Sequence, residues 1–333
     1  MDGAPSSAGG AAPGEIRLGP QAIPEPSAVS EQARVYLRTP FWAGDRERLD
    51  PDDIEGWKAA IEQTNAMFAP LAQAMREQAD VDVEQARIGG VTVYVATPRR
   101  LAPESQGRGH VYIHGGGWAF MGGEVVAGQT ALQAHRLGLK TYGVDYRVPP
   151  EHRYPAALDD CVAVYRELLK DYAGGDIVIS GGSAGGNLTA ATALMARDLG
   201  LEPPAAIALL TPATDGSLQS DSMATNDQLC ILKNAVMSEF WAVYAGGRDR
   251  TDPYLSPVFG DFSRGYPPTL LQTGTRDLLL SDTVRMHRAL RAAGITAELH
   301  VWEAMPHGGF GGSAPEDAEI VEEMKAFFAR HFA

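Results

Sequence analysis

The chain has 333 residues, 44% of them hydrophobic and 21% charged, and a formal net charge of −14. This composition excludes wholesale disorder, and its sign argues against nucleic acid or an anionic membrane surface as a partner. No apolar run reaches the ~18 residues of a membrane span, and the first residues show neither a basic nor an apolar signal region. The two cysteines, Cys161 and Cys230, fit a reducing compartment, so a cytoplasmic protein without membrane insertion is expected. Glycine is in excess: 37 residues, about 11%, against a typical ~7%.

Residues 1–30, rich in Ala, Gly, Pro and Ser, read as a loose tail. From 32 to 79, Trp57, Ile61, Met67, Phe68, Leu71 and Met75 recur at helical intervals, interrupted at Pro70. The acids between Asp45 and Glu55 suit a solvated face or a helix start. Strands then alternate with helices. Residues 81–87 and 91–96 form a hairpin around Gly89-Gly90, with strands at 109–114 and 139–145, a helix over 155–172 carrying Cys161 on its apolar stripe, and a strand at 176–180. A helix at 184–198, strands at 205–210 and 268–273, a helix at 282–293, a strand at 296–302 and a helix at 314–331 complete the series. Ser313 and Glu316 have capping-box spacing before the last helix. This alternation predicts an α/β fold with a mostly parallel sheet flanked by helices. The segment 212–265 breaks the rhythm and reads as an insertion over the carboxyl ends of the strands.

Gly181-Gly182-Ser183-Ala184-Gly185 lies directly between a strand and a helix. A serine at such a sharp turn needs small residues two positions to either side, and its hydroxyl projects beside the free N–H groups of a helix start. His114-Gly115-Gly116-Gly117-Trp118 ends an earlier strand. Its glycines let the main chain fold back and aim N–H groups into a cavity, which together with the N–H of Ala184 suits an oxyanion hole. A serine hydroxyl also needs a base and an orienting acid. Of eight histidines, His307 alone lies in a glycine-flanked loop after a carboxyl strand end. Asp277 follows the strand PTLLQT; its rival, Asp282, reads as the first turn of the next helix. The order Ser183, Asp277, His307 is that of α/β-hydrolases.

HGGGW, DYRVPPEHRYPAALDD (145–160), GGSAGGN, a late Asp and a late His-Gly together resemble the hormone-sensitive lipase family of esterases, bacterial family IV, over roughly 82–332. The resemblance implies an α/β-hydrolase core over 81–333, with cap helices from 1–80 and from 212–250. It implies hydrolysis of short-to-medium acyl carboxylic esters without cofactor or metal, with Ser183, Asp277 and His307 catalytic and Gly115, Gly116 and Ala184 as oxyanion donors. A small-molecule ester is the expected partner, and a homodimer through the last strand is compatible with family analogy. Trp57, Met67, Phe68, Met223, Phe240 and Trp241 are expected to line the acyl pocket. Lactones or aryl amides would suit the same residues, and a non-catalytic receptor of this fold is the rival from another class. Three departures from the family pattern stand out: Gly182 replaces an acidic residue or threonine, Leu278-Leu279 replaces Pro-Leu after Asp277, and His307 is followed by two glycines before Phe310 rather than one. Fifteen of the 37 glycines fall in 115–123, 174–175, 181–186 and 308–312, which localises the compositional excess at the candidate site.

Overall fold

The computed structural model describes Gly19, residues 22–39 and residues 48–333. Most of the expected tail and residues 45–47 of the acidic cluster lie outside these. Eight strands, β1 (Val81–Ile88), β2 (Val91–Pro98), β3 (Gly109–Ile113), β4 (Lys140–Asp145), β5 (Ile177–Gly182), β6 (Ala206–Leu210), β7 (Thr269–Gly274) and β8 (Ala297–Trp302), form one sheet. Their order is β1-β2-β4-β3-β5-β6-β7-β8. The β1–β2 hairpin and the β2–β4 pair are antiparallel, and every other pair is parallel. The central strands are buried on both faces, which is why they read as continuous apolar runs rather than as alternating ones.

Nine α-helices are present among the described residues: α1 (Glu31–Arg38), α2 (Ile54–Gln78), α3 (Glu124–Leu137), α4 (Ala156–Leu168), α5 (Ala184–Asp198), α6 (Ser222–Thr225), α7 (Asn234–Ala245), α8 (Leu280–Ala292) and α9 (Pro315–His331). Helices α4, α5 and α8 pack on one face of the sheet, burying Ile113, Ile179 and Leu271 with Leu158, Leu188 and Met286. The alternate strand residues Val178, Ala208 and Leu270 face Leu137 of α3 and Phe327 and Phe328 of α9 on the other. Cys161 is buried in the first of these cores.

The chain departs from simple periodicity at three places. Helix α3 has no single apolar stripe, because it is buried against the sheet and against α2; at Gly128 a Cβ would collide with the backbone of Ala72. Helix α2 runs unbroken through Pro70. Pro70 and Ala66 both lie on the exposed side, where water can take the carbonyl that the ring displaces. At the start of α9 the cap is not made by Ser313 and Glu316. Asp317 accepts from the N–H of Ala314 at 3.1 Å, while Glu316 accepts from the N–H and hydroxyl of Ser30, both at 2.7 Å. The acidic cluster does start a helix: Asp53 caps α2 by accepting from Gly56 N–H at 2.9 Å.

The helices of the two expected cap segments meet over the glycine loop. Trp57 of α2 packs with Phe120 and with Phe240 of α7, at ring separations of 6.0 and 6.5 Å, while α1 lies against α9. Among the described residues, no helix is long and apolar enough to cross a membrane. Gly128→Val should cost about 1–3 kcal/mol of stability through overpacking against α2, read as a lower urea midpoint.

Candidate active site

Strand β5 delivers Ser183 to a turn that an L-residue adopts only under strain, with φ 56° and ψ −120°. What imposes the turn is its packing. A Cβ on Gly181 would strike the carbonyl of Gly185, and one on Gly185 would strike the carbonyls of Ile113 and His114 at the end of β3. Gly182 is different: a Cβ there would come no nearer than 3.6 Å to the carbonyl of Leu210. Position 182 therefore has room for a side chain, whereas 181 and 185 do not.

The structure brings Ser183, His307 and Asp277 into one hydrogen-bonded line. Ser183 Oγ lies 2.9 Å from His307 Nε2, and His307 Nδ1 lies 2.9 Å from Asp277 Oδ1. The Asp277 carboxylate is fully buried and accepts from the N–H of Leu279 at 3.0 Å and from the Thr273 hydroxyl at 2.8 Å. With the carboxylate as acceptor of these donors, the Nδ1 hydrogen is directed at Oδ1 and the Nε2 lone pair at Ser183. Asp282 sits elsewhere, buried in the first turn of α8, where it accepts from Ser220 and from the N–H of Asp215. Burial, with the neighbouring Asp215 and Asp277 carboxylates adding to it, pushes Asp282 up to about 7.

The glycine loop is held by its carbonyls. Tyr146 donates its hydroxyl to the carbonyl of His114 at 3.0 Å, and His114 donates Nδ1–H to the carbonyl of Gly115 at 2.9 Å. The two rings stack at 4.0 Å, and burial pushes His114 down to about 4, so its ring is neutral. In a trans peptide the N–H points opposite to the C=O. Fixing those two carbonyls therefore fixes the N–H groups of Gly115 and Gly116. The loop then turns back where Gly116, at φ +92°, accepts from the N–H of Phe120 at 2.9 Å. Among the described residues, the N–H groups of Gly115, Gly116 and Ala184 have no hydrogen-bond acceptor. Gly115 lies against the elbow: a Cβ on it would stand 3.5 Å from that of Ser183.

Several of these supports were not singled out in the sequence. Tyr146 and Asn187 stand within quoted motifs, DYRVPPE and GGSAGGN, without an assigned role. Asn187 is buried, accepts from Trp118 Nε1 at 3.3 Å and donates to the carbonyls of Ala213 and Leu255 at 2.8 and 2.9 Å, tying glycine loop, elbow helix and insertion together. Asn226 of the insertion donates to the carbonyl of Asp277 at 2.8 Å. No local pattern marks Asn226, because its partner lies 51 positions along the chain. Of the expected acyl-pocket residues, Trp57, Met223 and Trp241 are buried in packing between segments, and Met67 faces solvent at 49% exposure.

A family model described as the alpha/beta hydrolase fold matches residues 110–310. The chain belongs to this family. Among its hydrolase relatives is the carboxylesterase NlhH of Mycobacterium tuberculosis, 37% identical over 210 residues, a match spanning 60% of this chain and 65% of that protein. An acetyl-hydrolase of Streptomyces hygroscopicus is 31% identical over 71% of this chain and 81% of its own. The solved structure of esterase E25 superposes with a TM-score of 0.87 at 35% identity, covering 96% of this chain and 99% of that one. An esterase from the bacterial hormone-sensitive lipase family superposes with a TM-score of 0.80 at 27% identity, covering 92% and 100%. The resemblance noted in the motifs thus extends to the architecture.

Two outcomes follow from this geometry. Gly182→Ala should keep soluble, folded protein with activity within about threefold, whereas Gly185→Ala should lose most of both, because only the second has backbone in its way; expression and ester turnover check this. Asp282 favours the folded state when protonated, so rising pH costs stability between its ordinary carboxylate range and about 7. Asp282→Asn should flatten the pH dependence of the unfolding midpoint across that window.

Proposed function

We propose that this hydrolase-fold chain is a serine carboxylesterase acting on short-to-medium acyl esters. The carrying observation is the line Ser183–His307–Asp277, with both links at 2.9 Å, together with three N–H groups that have no acceptor among the described residues. The names carried by the relatives support the same reading.

In the first step His307 Nε2 takes the hydroxyl proton as Ser183 Oγ attacks the ester carbonyl. The developing oxyanion is received by the N–H groups of Gly115, Gly116 and Ala184. Such donors act without reorganisation, and losing one typically costs ~3 kcal/mol of transition-state stabilisation. The imidazolium then protonates the leaving alcohol, giving an acyl-serine. Water, deprotonated by His307, attacks that ester; the bond to Oγ breaks, the imidazolium returns the proton to Ser183 and the carboxylic acid leaves. Asp277 holds the tautomer and stabilises the imidazolium throughout. In this reading α2 and α7, joined through Trp57, Phe120 and Phe240, form the cap above the glycine loop.

Ser183→Ala should abolish ester turnover with an unchanged unfolding curve, and a fluorophosphonate probe should label the native chain at Ser183 alone. An unlabelled native protein would overturn the reading. A series of esters of increasing chain length, run beside a lactone and an anilide, tests the substrate class: the esters of short and medium chain should be turned over fastest.

A further inference from the structure

We infer that Asp317, at the start of α9, is the positioning residue that holds His307 over Ser183. This inference rests on the triad reading above and goes beyond it. The segment after His307 has little side chain of its own to pack. Gly308, Gly309, Gly311 and Gly312 all lie at positive φ, and Phe310, the one residue among them with a side chain, is buried edge-on to Tyr36 of α1 at 6.3 Å. A loop so rich in glycine has many competing conformations, and ordering it costs entropy that some specific contact must offset.

That contact is one carboxylate. Asp317 is buried, at 8% exposure, and accepts three main-chain N–H groups from the loop. Oδ1 takes that of Phe310 at 2.8 Å, and Oδ2 takes those of Gly312 at 2.9 Å and Ala314 at 3.1 Å. The glycine next to Phe310 is part of the same arrangement. A Cβ on Gly309, which lies at φ +103°, would stand 2.6 Å from Asp317 Oδ1. The second glycine of His307-Gly308-Gly309-Phe310 is therefore the space into which the carboxylate fits.

Gly182 belongs to this device as well. The elbow residue, Gly308, Gly312 and Asp317 line one cavity of about 160 Å³, with Arg136 of α3 and Gln272 of β7. Arg136, half-buried and facing the same cavity, is held below its ordinary range by desolvation, against the opposing charge of Asp317. Met305, fully buried, fixes the chain before His307, and Asp317 fixes it after.

A positioning role through His307 predicts non-additivity. In an otherwise native chain, Asp317→Ala should lower kcat for a p-nitrophenyl ester 10- to 100-fold and leave KM within threefold. In a His307→Ala background the same substitution should change the residual rate less than threefold. Asp317→Asn, which keeps one accepting oxygen, should recover part of the loss, and it carries the same cycle if the alanine variant does not fold. Equal losses in both backgrounds, or an undiminished kcat in the native one, would overturn the positioning role while leaving the triad reading intact. Native-like turnover by His307→Ala alone would overturn both.

Discussion

One close approach organises this molecule: the turn between β5 and α5 is pressed against the end of β3, with no room for a side chain at Gly181 or Gly185. That contact holds Ser183 in its strained conformation. It also sets the separation between the elbow and the glycine loop, since β3 runs directly into His114 and Gly115. Strain of this kind persists only where surrounding structure over-determines it. Here the surroundings are the parallel pairings of β5 with β3 and β6 and the buried face of α5.

Around that contact, several loops of the candidate site and its surroundings are anchored by buried carboxyl groups that receive more than one hydrogen bond. Asp277 gathers Thr273, Leu279 and His307. Asp282, which favours the fold when protonated, joins the insertion to α8 through Ser220 and Asp215. Asp160 takes the backbone N–H and guanidinium of Arg147 at 2.8–3.0 Å, fixing the segment that also carries Tyr146. Asp317 closes the His307 loop. Hydrogen bonds to ionised acceptors are stronger than neutral ones, and buried N–H groups left without acceptors are costly. A chain whose composition shows only an acidic excess thus uses some of those acids as internal fasteners.

The sheet was legible because parallel strands covered on both faces must be short apolar runs, and DIVIS, AAIALL and PTLLQT are such runs. Helix α3 was not, because its surroundings are apolar on several sides and erase the 3.6-residue stripe. The capping pair Ser313–Glu316 had suitable spacing, yet Ser30, from the far end of the chain, takes Glu316, and Asp317 does the capping. The aromatic and methionine residues expected around the acyl group were placed by type alone. Trp57 and Trp241 are of the kind that lines pockets and equally of the kind that fills the joint between two segments; only their neighbours decide.

What the sequence determined by itself is what local sterics and order along the chain control: the glycines demanded around Ser183, the αβ alternation, and candidate groups at the carboxyl ends of successive strands. Ser183 and His307 stand 124 positions apart, and their 2.9 Å separation exists only because β5, β6, β7 and β8 lie side by side. The tertiary structure alone decided which groups hold Asp277 in place, which carbonyls orient the glycine loop, and why Gly309 must be a glycine. Each of these depends on groups from separate elements meeting within a few ångströms, and no one-dimensional pattern encodes such a distance.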